Sequence, residues 1–189
     1  MKAVYFHIAK TAGMTIAEAL KLNPCRFIRR AKVFSQEGAV TFGHMDYLKL
    51  LRKGIISKEF HESAFKFTFV REPYDRAVSN YLWNRKKREI PSDIGFPEYT
   101  NKYLSITKRQ HEYVDGVFLG FIGRFENLLE DIHKLGKILG VEIDNIPHRN
   151  KIQHKPSFSY YNKEAANNVL EFYRKDFDVF GYDHNLLYP

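Results

Sequence analysis

Three times in the first ninety residues a short β-rich run hands its end to a loop and then to a helix, and this repeat limits the possible folds more than any other feature of the chain. Ala3-Val4-Tyr5-Phe6-His7-Ile8 passes through Lys10-Thr11-Ala12-Gly13 into Met14, Ile16, Ala17 and Leu20 at helical spacing. Ala39-Val40-Thr41-Phe42 ends at Gly43-His44, and Asp46 is placed to cap a helix carrying Tyr47, Leu48, Leu50 and Leu51 until Gly54 stops it. The run from Phe65 to Val70 ends in Arg71-Glu72-Pro73, where proline breaks the strand and opens a helix from Tyr74 to Arg88. A fourth run, Val117 to Arg124, precedes an amphipathic helix on Leu128, Leu129, Ile132, Leu135, Ile138 and Leu139, closed by Gly140. Strands alternating with helices predict an α/β, three-layer fold with a central parallel β-sheet, and a ligand crevice at the carboxyl ends of the strands.

The rest of the pattern fits one domain over residues 1–189, long enough for one good-sized core. Between Ile90 and Lys108 the periodicity weakens around Pro91, Gly95 and Pro97, which predicts a loop with one short helix near Tyr99 to Leu104. Pro147 to Tyr161 reads as irregular and basic, and a last helix runs from Lys163 to Phe177 before Gly181. The apolar start from Ala3 to Ile8 is too short for a signal-peptide core or a membrane span, so the chain is expected to be soluble or cytoplasmic. Cys25 is the only cysteine, which excludes an intrachain disulfide.

The first loop has the chemistry of an anion site. Main-chain N–H groups at a helix start are unpaired and the helix dipole favours negative charge there, so Ala12, Gly13, Met14 and Thr15 are placed to cradle a phosphate or sulfate. Lys10 adds a full positive charge, Gly13 permits close approach, and Thr11 and Thr15 carry hydroxyls. The ATP and GTP signature Gly-x-x-x-x-Gly-Lys-Ser/Thr is absent, because this lysine precedes the glycine. The third strand ends in Arg71 rather than in a magnesium-binding aspartate, which suits a donor that needs no metal.

Arg71 and Ser79, eight residues apart, form a second candidate for a terminal phosphate, since a charge-assisted arginine contact is roughly twice as strong as a neutral one. Glu72 and Arg76, four apart, are expected to pair on the helix surface. Tyr81, Leu82 and Trp83 read either as core or as a nucleotide shelf. An excess of 30 Lys and Arg over 22 Asp and Glu gives a formal charge of +8 and favours polyanionic partners.

Two segments are similar to motifs of one enzyme family. His7 to Thr15, HIAKTAGMT, resembles the 5′-phosphosulfate loop of the carbohydrate-type sulfotransferases related to heparan and chondroitin sulfotransferases. Val70 to Tyr81, VREPYDRAVSNY, resembles their 3′-phosphate motif, and both occur in the family's order. Gly123 to Gly140 and Asn162 to Tyr182 are also similar to such enzymes, leaving Ile90 to Tyr113 unmatched. Ala9 stands where the family has proline, and Met14 where a small hydroxyl residue is common.

The resemblance implies 3′-phosphoadenosine 5′-phosphosulfate (PAPS) as donor, 3′,5′-adenosine bisphosphate as product, no metal, and a hydroxyl acceptor on a sugar or polysaccharide. It assigns Lys10 to the bridging oxygen of the phosphosulfate, Thr11, Ala12, Gly13, Met14 and Thr15 to the 5′ end, and Arg71 and Ser79 to the 3′-phosphate. A base must take the acceptor's proton, and His44 is favoured because Gly43-His44 looks equivalent to a Gly-His pair in uronyl-directed members. Glu18 on the first helix is the rival, and His7 reads as a packed residue. His148, Arg149, Asn150, His154 and Lys155 resemble a late basic loop that closes over donor or acceptor. Two other classes stay open on the residues alone: a P-loop kinase-like enzyme turning over Mg-ATP, and a non-catalytic polyanion-binding module. No RNA-binding or helix-turn-helix signature supports a nucleic-acid partner.

Overall fold

The computed structural model describes residues 1–25, 27–147 and 155–185. The strands are β1 (Ala3–Phe6), β2 (Asn23–Pro24), β3 (Ala39–Thr41), β4 (Phe65–Val70) and β5 (Phe121–Arg124). The helices are α1 (Gly13–Ala19), α2 (Ile28–Ala31), α3 (Tyr47–Arg52), α4 (Lys58–Ser63), α5 (Pro73–Lys87), α6 (Phe96–Lys102), α7 (Leu128–Leu139) and α8 (Lys163–Phe180). The chain forms two compact units, one of Met1–Val70 with Tyr113–Asn150, the other of Arg71–Glu112 with Lys151–Pro189.

The first unit holds a five-stranded sheet in the order β2-β3-β1-β4-β5, with every pair parallel. All four residues of the central β1 are buried, because alternate side chains serve opposite faces. Ala3 and Tyr5 join Phe67 and Phe69 of β4 in a core with Ile16 and Leu20 near α1 and Ile132 and Leu135 of α7. On the other face Phe6 meets Tyr47 of α3, with ring centroids 4.5 Å apart. Helices thus flank the sheet, as the alternating pattern predicts.

Strand order places β3 on one side of β1 and β4 on the other, so the topological switch point lies beside the carboxyl end of β1. Side chains of both neighbours finish that end. Thr41 Oγ1 donates to the Tyr5 carbonyl at 3.2 Å and Thr68 Oγ1 to the Phe6 carbonyl at 2.8 Å, satisfying acceptors where strand pairing stops.

The apolar run at Val117 is shorter as a strand than its composition suggests. The strand spans Phe121–Arg124, against Phe67 to Val70, with one more bond from the Gly120 N–H to the Lys66 carbonyl at 2.8 Å, and Phe118 is 90% exposed. The strands β2, of two residues, and the helices α2 and α4 are too short to leave a periodic trace. Asp46 caps α3 as expected, accepting from the Lys49 N–H at 2.9 Å.

The second unit packs α5, α6 and α8 around an aromatic core that includes Tyr74, Tyr81, Phe96, Tyr99, Tyr173 and Phe177. Tyr81 belongs to that core, with its ring 5.3 Å from Tyr99 and 5.4 Å from Phe96. Glu72 caps α5 by accepting from the N–H groups of Tyr74 and Asp75. Arg76 lies in the interior rather than on the helix surface: it is fully buried, donates to the Lys108 carbonyl at 2.9 Å, and sits 5.6 Å from the Tyr173 ring. The expected short helix starts earlier, at Phe96, because Gly95 supplies an extended cap and Pro97 suits a first turn. No described helix is long and apolar enough to cross a membrane.

Candidate functional site

The loop after β1 is shaped by two non-glycine residues in the left-handed region, Lys10 at φ 71° and Ala12 at φ 61°. Such residues cost of order 1–3 kcal/mol each and cluster where a backbone geometry is functional. Ala12 is also the cap of α1, and its side chain makes no capping hydrogen bond. Thr11 is fully buried and its hydroxyl donates to the Ile8 carbonyl at 2.9 Å. The hydroxyl proton of Thr11 is thereby committed to the main chain of its own loop. Thr15 is buried in the first turn of α1, Met14 is 51% exposed, and Lys10 is half-buried.

His7 links the loop to His44. A Cβ on Gly13 would lie 1.8 Å from His7 Nε2, so the imidazole occupies the space that any other residue at 13 would fill. The His7 ring stacks on Tyr5 at 5.3 Å and meets the His44 ring at 4.2 Å. Burial, reinforced by His44, lowers the His7 pKa to about 3, so it is neutral throughout the working range. His44 is more exposed. Burial of part of its ring holds its pKa below the usual histidine value, a main-chain hydrogen bond at His7 works against that shift, and the Lys10 charge adds to it. A neutral imidazole at neutral pH is free to accept a proton. Glu18 stands exposed near the far end of α1, away from the amides at its start.

Arg71 is 7% exposed and its head is fixed within its own unit. Asp75 Oδ2 accepts from Arg71 Nε and Nη2, each at 2.7 Å, while Asp75 Oδ1 takes the hydroxyl of Ser157. Ser79, half-buried on α5, follows Asp75 by four residues and so shares its side of the helix. Asp75 thus holds the Arg71 guanidinium against the first turn of α5. His148, Arg149, Asn150 and His154 lie outside the described residues.

Sequence reasoning missed the residues that hold Arg71. Asp75 was detectable from its spacing, four residues beyond Arg71. Gln110 lies in the stretch from Ile90 to Tyr113 that matches no motif, and Asp176, within the similar segment Asn162 to Tyr182, carries no spacing that ties it to Arg71.

A five-stranded parallel sheet flanked by helices, with the loop after β1 at its switch point, defines an α/β fold. The profile described as "Sulfotransferase family" matches residues 1–183, and the chain belongs to that family, an enzyme family that uses PAPS. The crystal structure of a sulfotransferase from Alicyclobacillus acidocaldarius has the same fold, with a TM-score of 0.57 and 13% identity over 96% of each chain. An uncharacterized protein of Archaeoglobus fulgidus is 28% identical over an alignment 100 residues long that covers 46% of this chain and 76% of that one.

Proposed function

We propose that residues 1–189 act as one sulfotransferase domain that moves the sulfuryl group of PAPS to a hydroxyl of a carbohydrate. The observation that carries this reading is the loop after β1, with left-handed residues at Lys10 and Ala12 and an uncapped helix start. Its amides and the Lys10 ammonium suit the 5′-phosphosulfate, and Arg71 with Ser79 suits the 3′-phosphate. The carbohydrate acceptor is supported by the likeness of HIAKTAGMT and VREPYDRAVSNY to heparan- and chondroitin-directed enzymes and by the net charge of +8.

In the reaction the acceptor oxygen attacks sulfur while the bond from sulfur to the bridging phosphate oxygen breaks. Lys10 offsets the charge that grows on that oxygen, and His44 takes the acceptor's proton, leaving 3′,5′-adenosine bisphosphate. Positioning and charge neutralisation supply most of the acceleration, as in phosphoryl transfer.

Titration calorimetry with 3′,5′-adenosine bisphosphate tests the assignment. Binding is expected without magnesium and to fall about 10- to 100-fold in Lys10→Ala and in Arg71→Ala, the worth of one charge-assisted hydrogen bond. Undiminished binding in both variants would remove the site assignment.

A further inference from the structure

The Arg71 main chain is gripped by a single side chain from 39 residues along the sequence. Gln110 is fully buried; its Oε1 accepts from the Arg71 N–H at 2.9 Å and its Nε2 donates to the Arg71 carbonyl at 2.8 Å. One amide thus supplies both hydrogen bonds that a neighbouring strand would give an extended residue. Gln110 is anchored in turn by Asp176 of α8, which is wholly buried. One Asp176 oxygen takes the Gln110 N–H at 2.8 Å; the other takes the His111 N–H at 2.9 Å and lies 2.6 Å from His111 Nδ1. A buried carboxylate needs hydrogen-bonding partners, and Asp176 has two main-chain N–H donors with the His111 ring beside one of its oxygens.

We propose that Gln110 and Asp176 are positioning residues for the 3′-phosphate, fixing the root of Arg71 while Asp75 fixes its head, and so setting the preference for nucleotides that carry a 3′-phosphate. This rests on the reading of Arg71 given above. A fork contact to phosphate needs one arginine orientation among many, and holding that orientation before the ligand arrives removes an ordering cost from binding. Gln110 satisfies the main-chain N–H and carbonyl of Arg71 together, so the position of the Arg71 backbone depends on this one side chain.

Adenosine 3′,5′-bisphosphate and adenosine 5′-phosphate titrated into wild type, Arg71→Ala, Gln110→Ala and Gln110→Glu, with melting curves alongside, test the proposal. Gln110→Glu is nearly isosteric; it keeps the acceptor for the Arg71 N–H and loses the donor to the carbonyl, so the interior stays filled if the alanine variant does not fold. Wild type is expected to prefer the bisphosphate and Arg71→Ala to lose that preference. The Gln110 variants should reduce the preference by up to about tenfold, the worth of one neutral hydrogen bond, with affinity for the 5′-phosphate retained. In turnover the KM for PAPS should rise while kcat at saturation holds. A preference unchanged in the folded Gln110 variants, whatever their melting temperatures, overturns the inference. A wild-type protein without the preference, or a preference that survives Arg71→Ala, overturns the reading of Arg71 instead.

Discussion

His44 and His7 are two imidazoles in contact whose surroundings give them different work. His7 is packed among Tyr5, Gly13 and His44 and stays neutral, so it serves as a spacer that shapes the loop. His44 keeps access to solvent, and partial burial lowers its pKa below the ordinary value near 6.5. A base must be neutral to accept a proton, so activity that depends on His44 is present above its pKa and is lost as pH falls through it. The acid limb of kcat/KM should therefore lie below pH 6.5, and His44→Ala should abolish transfer while bisphosphate binding persists. A Glu18→Ala variant should remain active. If Glu18→Ala removes transfer and His44→Ala does not, the base is misassigned.

The unit of β1, loop and α1 closes only because residue 13 has no side chain. In Gly13→Ala the new methyl would fall on His7 Nε2, and His7 is stacked against Tyr5. Overpacking of this kind costs about 1–3 kcal/mol, to be read from urea denaturation, and Gly13→Ala should also weaken bisphosphate binding. Adding His7→Ala should restore part of the stability; a single variant as stable as wild type would contradict the packing. This element was legible in the sequence, since a β-rich run, a lysine, a glycine and a helical period stand in order. The caps of α3 and α7 were legible too, because Asp46 and Gly140 mark them locally. Val117 to Gly120 misled because an apolar run carries no sign of whether a partner strand is opposite it. Gln110 left no trace at all: its role exists only once Asp176, 66 residues away, comes to meet its main chain.

Across the whole molecule, what could be read from sequence was the layered parallel sheet, since the order of strand, loop and helix is local along the chain. The network around Arg71 could not be read, because buried hydrogen bonds between distant residues follow no period. Arg76 shows the same limit: its spacing from Glu72 suggested a surface pair, yet the aromatic core of the second unit encloses it. Family membership fixes the class of chemistry, and the net charge of +8 suits an anionic donor. The most direct measurement is transfer of isotope-labelled sulfate from PAPS to a panel of glycans and small alcohols, with a chelator present. Label should appear on a glycan hydroxyl in proportion to 3′,5′-adenosine bisphosphate released; absence of label on every acceptor, with the folded protein at saturating PAPS, would contradict sulfuryl transfer as its activity.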